Sequence, residues 1–257
     1  MESDNIVVGN SISSLIVCSG ARSIVSTVIA ICDLLWLKNS LQTVDYSNRY
    51  KIMENTFIDE ISNNYRWITL TGMSGLGKSY WSKVLATKGY KRFCCDDMIE
   101  NRIVKLINIP DKKEIDIGKW MGFPFEKKYR RKENIYLTFE IEVLSEIISY
   151  LQTADPSEKI VIDTTGSAPY SGDDIMKRLK ELSCIIHLSV SQDQHLEMLK
   201  KYTNNPRPVL WGDLYVKKPF ETEKEALARS YEALLIHREK LYKKYAHHSI
   251  PYSAHRT

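Results

Sequence analysis

Short apolar runs, each closed by a glycine, a charge or a turn, alternate along residues 56–257 with longer stretches whose apolar positions recur every three or four residues. The short runs read as strands near Trp67–Thr71, Arg92–Cys95, Lys159–Asp163 and Cys184–Val190. The longer stretches read as helices. One follows the first strand to Thr87, with Trp81, Val84 and Leu85 on a face; others span Met98–Ile107, Asp173–Leu182, Gln194–Tyr202 and the charged Glu221–Tyr245. The clearest helical pattern runs from Glu133 to Leu151, where Ile135, Phe139, Val143 and Ile147 recur and Leu144, Ile148 and Leu151 widen the stripe. Pro110 to Lys128, with Gly118, Gly122 and Pro124, reads as a loop with a short helical turn, and His248 to Tyr252 as a last short strand. Strands that alternate with helices predict an α/β fold of three layers, α/β/α, around a mostly parallel sheet.

Residues 1–55 break this rhythm. Ile6 to Leu37 is rich in Ser, Val, Ile and Leu, but Arg22 and Asp33 interrupt it. No uncharged apolar run reaches the roughly 18 residues of a membrane span, so no stable span is expected. The acidic start, with Glu2 and Asp4, lacks the basic region of a signal peptide and the arginines of a transit peptide. The expectation is a helical or poorly ordered extension; a membrane-associated segment stays open. Met53, just before the α/β part, is a candidate internal start. Domain 56–257 then carries the chemistry, with a lid at about 201–222.

Hydrophobic residues make up 43% and charged residues 26% of the 257, as in ordinary globular proteins. A net charge of +4 suits a small anionic substrate and does not point to nucleic acid. Five cysteines with no C-x-x-C spacing argue against a disulfide framework or a zinc site, and fit a reducing, cytoplasmic compartment.

The most specific chemical signal is Gly72-Met73-Ser74-Gly75-Leu76-Gly77-Lys78-Ser79, a full match to G-x-x-x-x-G-K-[ST]. The pattern is a phosphate cradle. Glycines let backbone N–H groups close around phosphate oxygens, and the helix that follows adds the positive end of its dipole. Lys78 is spaced to reach the β and γ phosphates of ATP, and Ser79 to ligate Mg²⁺. A strand before and a helix after supply the setting that an accidental glycine turn lacks. Asp96 and Asp163 fall at the carboxyl ends of strands, where ligands of open α/β sheets gather.

Taken in order, these features resemble the shikimate kinase family, within the P-loop small-molecule kinases. The resemblance covers about Trp67 to Tyr252. It rests on the P-loop, Phe93…Asp96-Asp97-Met98-Ile99-Glu100, Tyr129-Arg130…Glu133, Ile160–Gly166, the lid-like Arg207-Pro208-Val209-Leu210, and Arg238-Glu239-Lys240-Leu241-Tyr242. It implies that Asp96 holds the acceptor's hydroxyls and serves as general base, with helix capping as the alternative for Asp96 or Asp97. It implies that Arg130 and Arg238 grip an acceptor carboxylate through their planar forks, that Gly166 approaches the acceptor, and that Arg207 closes on the phosphates. Arg131 competes for the task of Arg130, and the run Lys127–Lys132 also reads as a solvated face.

The chain departs from the family in three places. Cys94 stands where the first of two aspartates is usual, Thr165-Gly166-Ser167 replaces a three-glycine run, and little chain follows the last strand. Asp163, ending a hydrophobic strand, reads as a Walker B aspartate that restores a metal-linked carboxylate, against the alternative of a strand-end turn. Cys94 and Cys95 read as core and site lining, and His247-His248 as exposed. The resulting expectation is a monomeric ATP- and Mg²⁺-dependent kinase for a hydroxyl on a small, carboxylate-bearing acceptor. Shikimate is the default acceptor. A kinase for another polyol acid or a nucleoside, or a nucleotide-binding module without transfer, remains the alternative.

Overall fold

The apolar runs form five strands that pair in the order β2-β3-β1-β4-β5, every pair parallel. They are β1 (Trp67–Thr71), β2 (Lys91–Cys94), β3 (Ile160–Asp163), β4 (Cys184–Ser189) and β5 (His248–Pro251). The computed structural model describes residues 58–108 and 116–251. The chain divides into two units, Met1–Met53 and Glu54–Thr257; the expectations for residues 1–55 lie outside the described residues. The helices are α1 (Lys78–Thr87), α2 (Cys95–Ile107), α3 (Ile117–Met121), α4 (Tyr129–Thr153), α5 (Asp173–Leu182), α6 (Gln192–Asn204) and α7 (Glu223–Tyr245). Residues 58–64 are helical as well. None of the described helices is long and apolar enough to cross a membrane.

Every residue of β3 is buried. Successive side chains of a strand point to opposite faces, so both faces of the sheet are covered, as a parallel sheet of crossover connections requires. The order changes direction at β1, which has β3 on one side and β4 on the other. Parallel register sets Leu70 beside Asp163 and Asp163 beside Cys94, so three strand ends share one rim. That rim is the switch point where such sheets bind ligands.

Three boundaries differ from the sequence pattern, each for a local reason. Cys95 opens α2 instead of ending β2, so Asp96 and Asp97 sit in the first helical turn, where a carboxylate opposes the helix dipole; the capping position is Cys94. Helix α4 starts at Tyr129 and buries Tyr129, Glu133, Tyr136 and Glu140 ahead of Val143 and Leu144. Ile135 and Phe139 are only half-buried. The inward stripe is therefore polar over its first half, which an apolar pattern cannot reveal. Residues 201–204 of the expected lid form the last turn of α6. His247 and His248 are half-buried, not exposed: His247 Nδ1 accepts from Ile185 N at 3.0 Å, and His248 Nε2 meets the Tyr65 hydroxyl at 2.8 Å.

Gly72 leaves β1 at φ +142°, and a Cβ there would lie 2.6 Å from the Leu188 carbonyl oxygen on β4. Gly72→Ala should destabilise the fold by about 2 kcal/mol or more, because neither the conformation nor the space admits a side chain. Urea unfolding checks this; an unchanged midpoint would contradict the close approach.

Candidate active site

The loop from Gly72 to Gly77 connects β1 to the amino end of α1, and Gly77 caps the helix at φ 95°. Lys78 is buried, and its Nζ donates to the carbonyls of Gly72 at 2.8 Å and Met73 at 3.0 Å. Loss of hydration lowers its pKa, while the charges of Asp96 and Asp163 raise it. Both carboxylates thus act on the P-loop lysine from the same rim. The loop is braced from α7: the Tyr242 hydroxyl lies 2.5 Å from the Gly166 carbonyl and 3.4 Å from Met73 Sδ.

Asp163 is fully buried at the end of β3. Its Oδ2 accepts from Arg92 Nη2 at 2.6 Å and from Ser82 Oγ at 3.0 Å, and Arg92 Nε donates to Ser82 Oγ at 2.7 Å. Its Oδ1 is buried with no hydrogen-bond partner among the described residues. A carboxylate oxygen so placed is suited to a cation, since burial without any partner is costly. Ser82 Oγ also lies 3.1 Å from the carbonyl of Ser79, which links Asp163 to the end of the P-loop. Arg92 carries no motif signature, and only the register of β2 against β3 reveals its part. Cys94, beside Asp163 in that register, is half-buried, and burial pushes its thiol up.

Asp96 is exposed in the first turn of α2. Loss of hydration raises its pKa, Lys78 lowers it, and Asp163 raises it again. The Tyr136 hydroxyl donates to its Oδ1 at 3.4 Å. A carboxylate with a raised pKa beside a lysine is what proton abstraction from an alcohol requires.

Two clefts adjoin at Ser74, Pro208 and Val209. The larger, about 790 Å³, lies between P-loop residues Ser74, Gly75 and Leu76 and the exposed Arg207, with Lys201 and Glu197 from α6. The smaller, about 140 Å³, is lined by Tyr136, Gly166, Ser167, Leu210, Met121 and Arg238. Arg238 is 3% exposed; its Nη2 donates to the Leu210 carbonyl at 2.7 Å, and its guanidinium lies 5.0 Å from the Tyr170 ring. A Cβ on Gly166 would lie 2.9 Å from Ser74 Oγ and 3.4 Å from Arg238 Nη1, so glycine lets the P-loop and this arginine converge.

Arg130 sits elsewhere. Its side chain is 59% exposed and pairs with Glu133 at 2.9 Å and with Asp213 at 2.7 Å, and it does not line the small cleft. Glu133 instead anchors the segment after Arg207: its Oε1 accepts from the backbone N–H of Trp211 at 2.6 Å and of Gly212 at 2.9 Å.

No family model matches the chain, and no curated protein matches it. Solved structures do. One, a shikimate kinase from Bacteroides thetaiotaomicron, is 20% identical and is matched over 72% of this chain and 85% of its own, with a TM-score of 0.45.

Removing Arg92 takes the ion-pair partner from the buried Asp163 and leaves it the Ser82 hydroxyl. Arg92→Met should cost about 3 kcal/mol of stability, and adding Asp163→Asn should recover most of it. Denaturant unfolding of the single and double variants measures the coupling; additive effects would mean that the pair does not interact.

Proposed function

We propose that the chain transfers the γ-phosphoryl group of ATP to a hydroxyl of a small anionic metabolite. The observation that supports this reading is a P-loop lysine, Lys78, that feels the charges of Asp96 and Asp163, in a loop that borders a large cleft and, at Ser74, a small cleft with a buried arginine. Backbone N–H groups of residues 72–79 cradle the phosphates, and Lys78 and Arg207 stabilise the charge that develops on the transferring group. Asp96 orients the acceptor's hydroxyl and takes its proton. Arg238 holds the acceptor's anionic group.

Ser79 and Asp163 are the residues that would hold Mg²⁺, and the unpartnered Oδ1 of Asp163 fits that duty. Among the described residues no group of three or more His, Cys, Asp or Glu side chains could hold a metal. This suits an ion bound jointly by the protein and the phosphates. The ion would supply neutralisation of phosphate charge. Arg130 would reach an acceptor only after giving up its contacts with the exposed Asp213 and the buried Glu133. Shikimate is the default acceptor, and another polyol acid or a nucleoside is the alternative.

One contact favours a second reading. Arg92 already neutralises Asp163, which suits a module that binds nucleotide without transferring phosphate. Incubation of the purified chain with ATP, Mg²⁺ and a panel of shikimate, other polyol acids and nucleosides, with products read by mass spectrometry, separates the two. A phosphorylated acceptor is expected; ATP binding with no phosphorylated product would favour the module. Lys78→Ala should lower turnover by at least about 100-fold. Asp96→Asn should lower kcat by about 100-fold while ATP binding is kept. Unchanged rates in either variant would remove that residue from the mechanism.

A further inference from the structure

The small cleft has a polar wall that phosphoryl transfer does not use. Glu140 on α4 is 0% exposed, with Thr165 and Ser167, each 3% exposed, packed against it. Its Oε1 accepts from the Thr165 hydroxyl and lies 3.1 Å from Ser167 Oγ. Thr165 Oγ1 accepts from Ser167 N at 3.0 Å and lies 3.0 Å from Ser167 Oγ. Glu140 Oε2 is buried with no hydrogen-bond partner among the described residues. Of the three residues, Ser167 borders the cleft, together with Gly166 and Arg238.

Proton counting decides what this wall presents. Each hydroxyl has one proton and two lone pairs. When Glu140 is ionised, Oε1 draws the protons of both Thr165 and Ser167, and Ser167 turns only lone pairs toward the cleft. When Glu140 is protonated, the proton falls on the unpartnered Oε2, and Oε1 remains a carbonyl oxygen that accepts both hydroxyl protons. The cleft therefore asks for a donor in either state.

We propose that Glu140 is a positioning residue that fixes Ser167 as a hydrogen-bond acceptor, so that the small cleft selects acceptors carrying an anionic group for Arg238 and, beside it, a second hydroxyl that donates to Ser167. This deepens the reading of that cleft as the acceptor site and rests on it. A cleft of about 140 Å³ suits a single small ring or a short chain. An analogue with a hydrogen or a ketone in place of that hydroxyl leaves a buried lone pair unmet and is rejected.

The protonation of Glu140 leaves the selection in place. Burial pushes its pKa up to about 7, against the hydrogen bonds of Thr165 and Ser167 and the charge of Arg238, with Asp96 raising it further. The other groups that face it are Cys95 on α2, Tyr136 on α4 and Tyr242 on α7. Glu140 is ionised above about 7 and protonated below it. An anionic acceptor feels that charge with or without its second hydroxyl, so the ratio of KM values for an acceptor and its deoxy analogue cancels this effect and reports on Ser167 alone.

The test uses the full chain, the acceptor that the panel identifies, and each of its monodeoxy analogues, with dissociation constants replacing KM where the analogue cannot react. One analogue should bind about five- to tenfold more weakly than the acceptor, at pH 8 and at pH 6 alike. In Glu140→Gln, whose amide oxygen accepts both protons at any pH, the difference should persist across the range. Ser167→Ala should remove it at every pH and leave the KM for ATP unchanged, which provides the outcome if Glu140→Gln fails to fold. Equal binding of all analogues, discrimination that fades at one end of the pH range, loss of discrimination in a folded Glu140→Gln, or discrimination that survives Ser167→Ala would overturn the proposal alone. No acceptor for the unaltered chain would overturn this proposal and the kinase reading together.

Discussion

Charge held without water is the constraint on which the site depends. Lys78, Glu140, Asp163 and Arg238 are each no more than 6% exposed, and all lie near the carboxyl ends of the central strands. A buried charge with no compensation costs several kcal/mol, so each needs partners supplied by the fold. Lys78 leans on two P-loop carbonyls, Asp163 on Arg92 and Ser82, Arg238 on the Leu210 carbonyl, and Glu140 on two hydroxyls. These partners come from α1, β2, the segment after β3 and the segment after α6. The charged rim is therefore a product of the whole α/β unit and could not be built by the P-loop alone.

At the end of β2 the rim's carboxylate comes from the neighbouring strand. Cys94 ends β2, and its neighbour in register is Asp163. One strand spacing separates the two positions, so a carboxylate on β3 faces the same rim as one on β2. The position has a local cost, since Asp163 is fully buried. Arg92 answers it by donating through its fork to Asp163 and Ser82 at once. This leaves one oxygen of Asp163 directed away from the ion pair.

Glu133 and Arg238 tie the same segment from two sides. Glu133 accepts the N–H groups of Trp211 and Gly212, while Arg238 donates to the carbonyl of Leu210. The segment is thereby anchored next to the small cleft, whereas Arg207, before it, stays exposed at the large one.

Local order made much of the molecule legible from its residues. The P-loop, the strand before it and the helix after it follow from glycine geometry and short-range periodicity. So do the parallel architecture and the placement of Asp96, Asp163 and Gly166 near the loop, because strand ends of such sheets share a rim. The roles of Arg92 and Glu140 were invisible there. Arg92 looks like an ordinary strand-edge charge until β2 pairs with β3, and Glu140 lies on a stripe whose inward members are polar, so apolar periodicity points to Ile135 and Phe139 instead. Arg130 shows the same limit, since its partner Asp213 is 83 residues away in sequence. Spacing along a chain determines which residues can share a helix face or follow a strand. Which charges meet, and which lose their water, is decided only when distant segments pack.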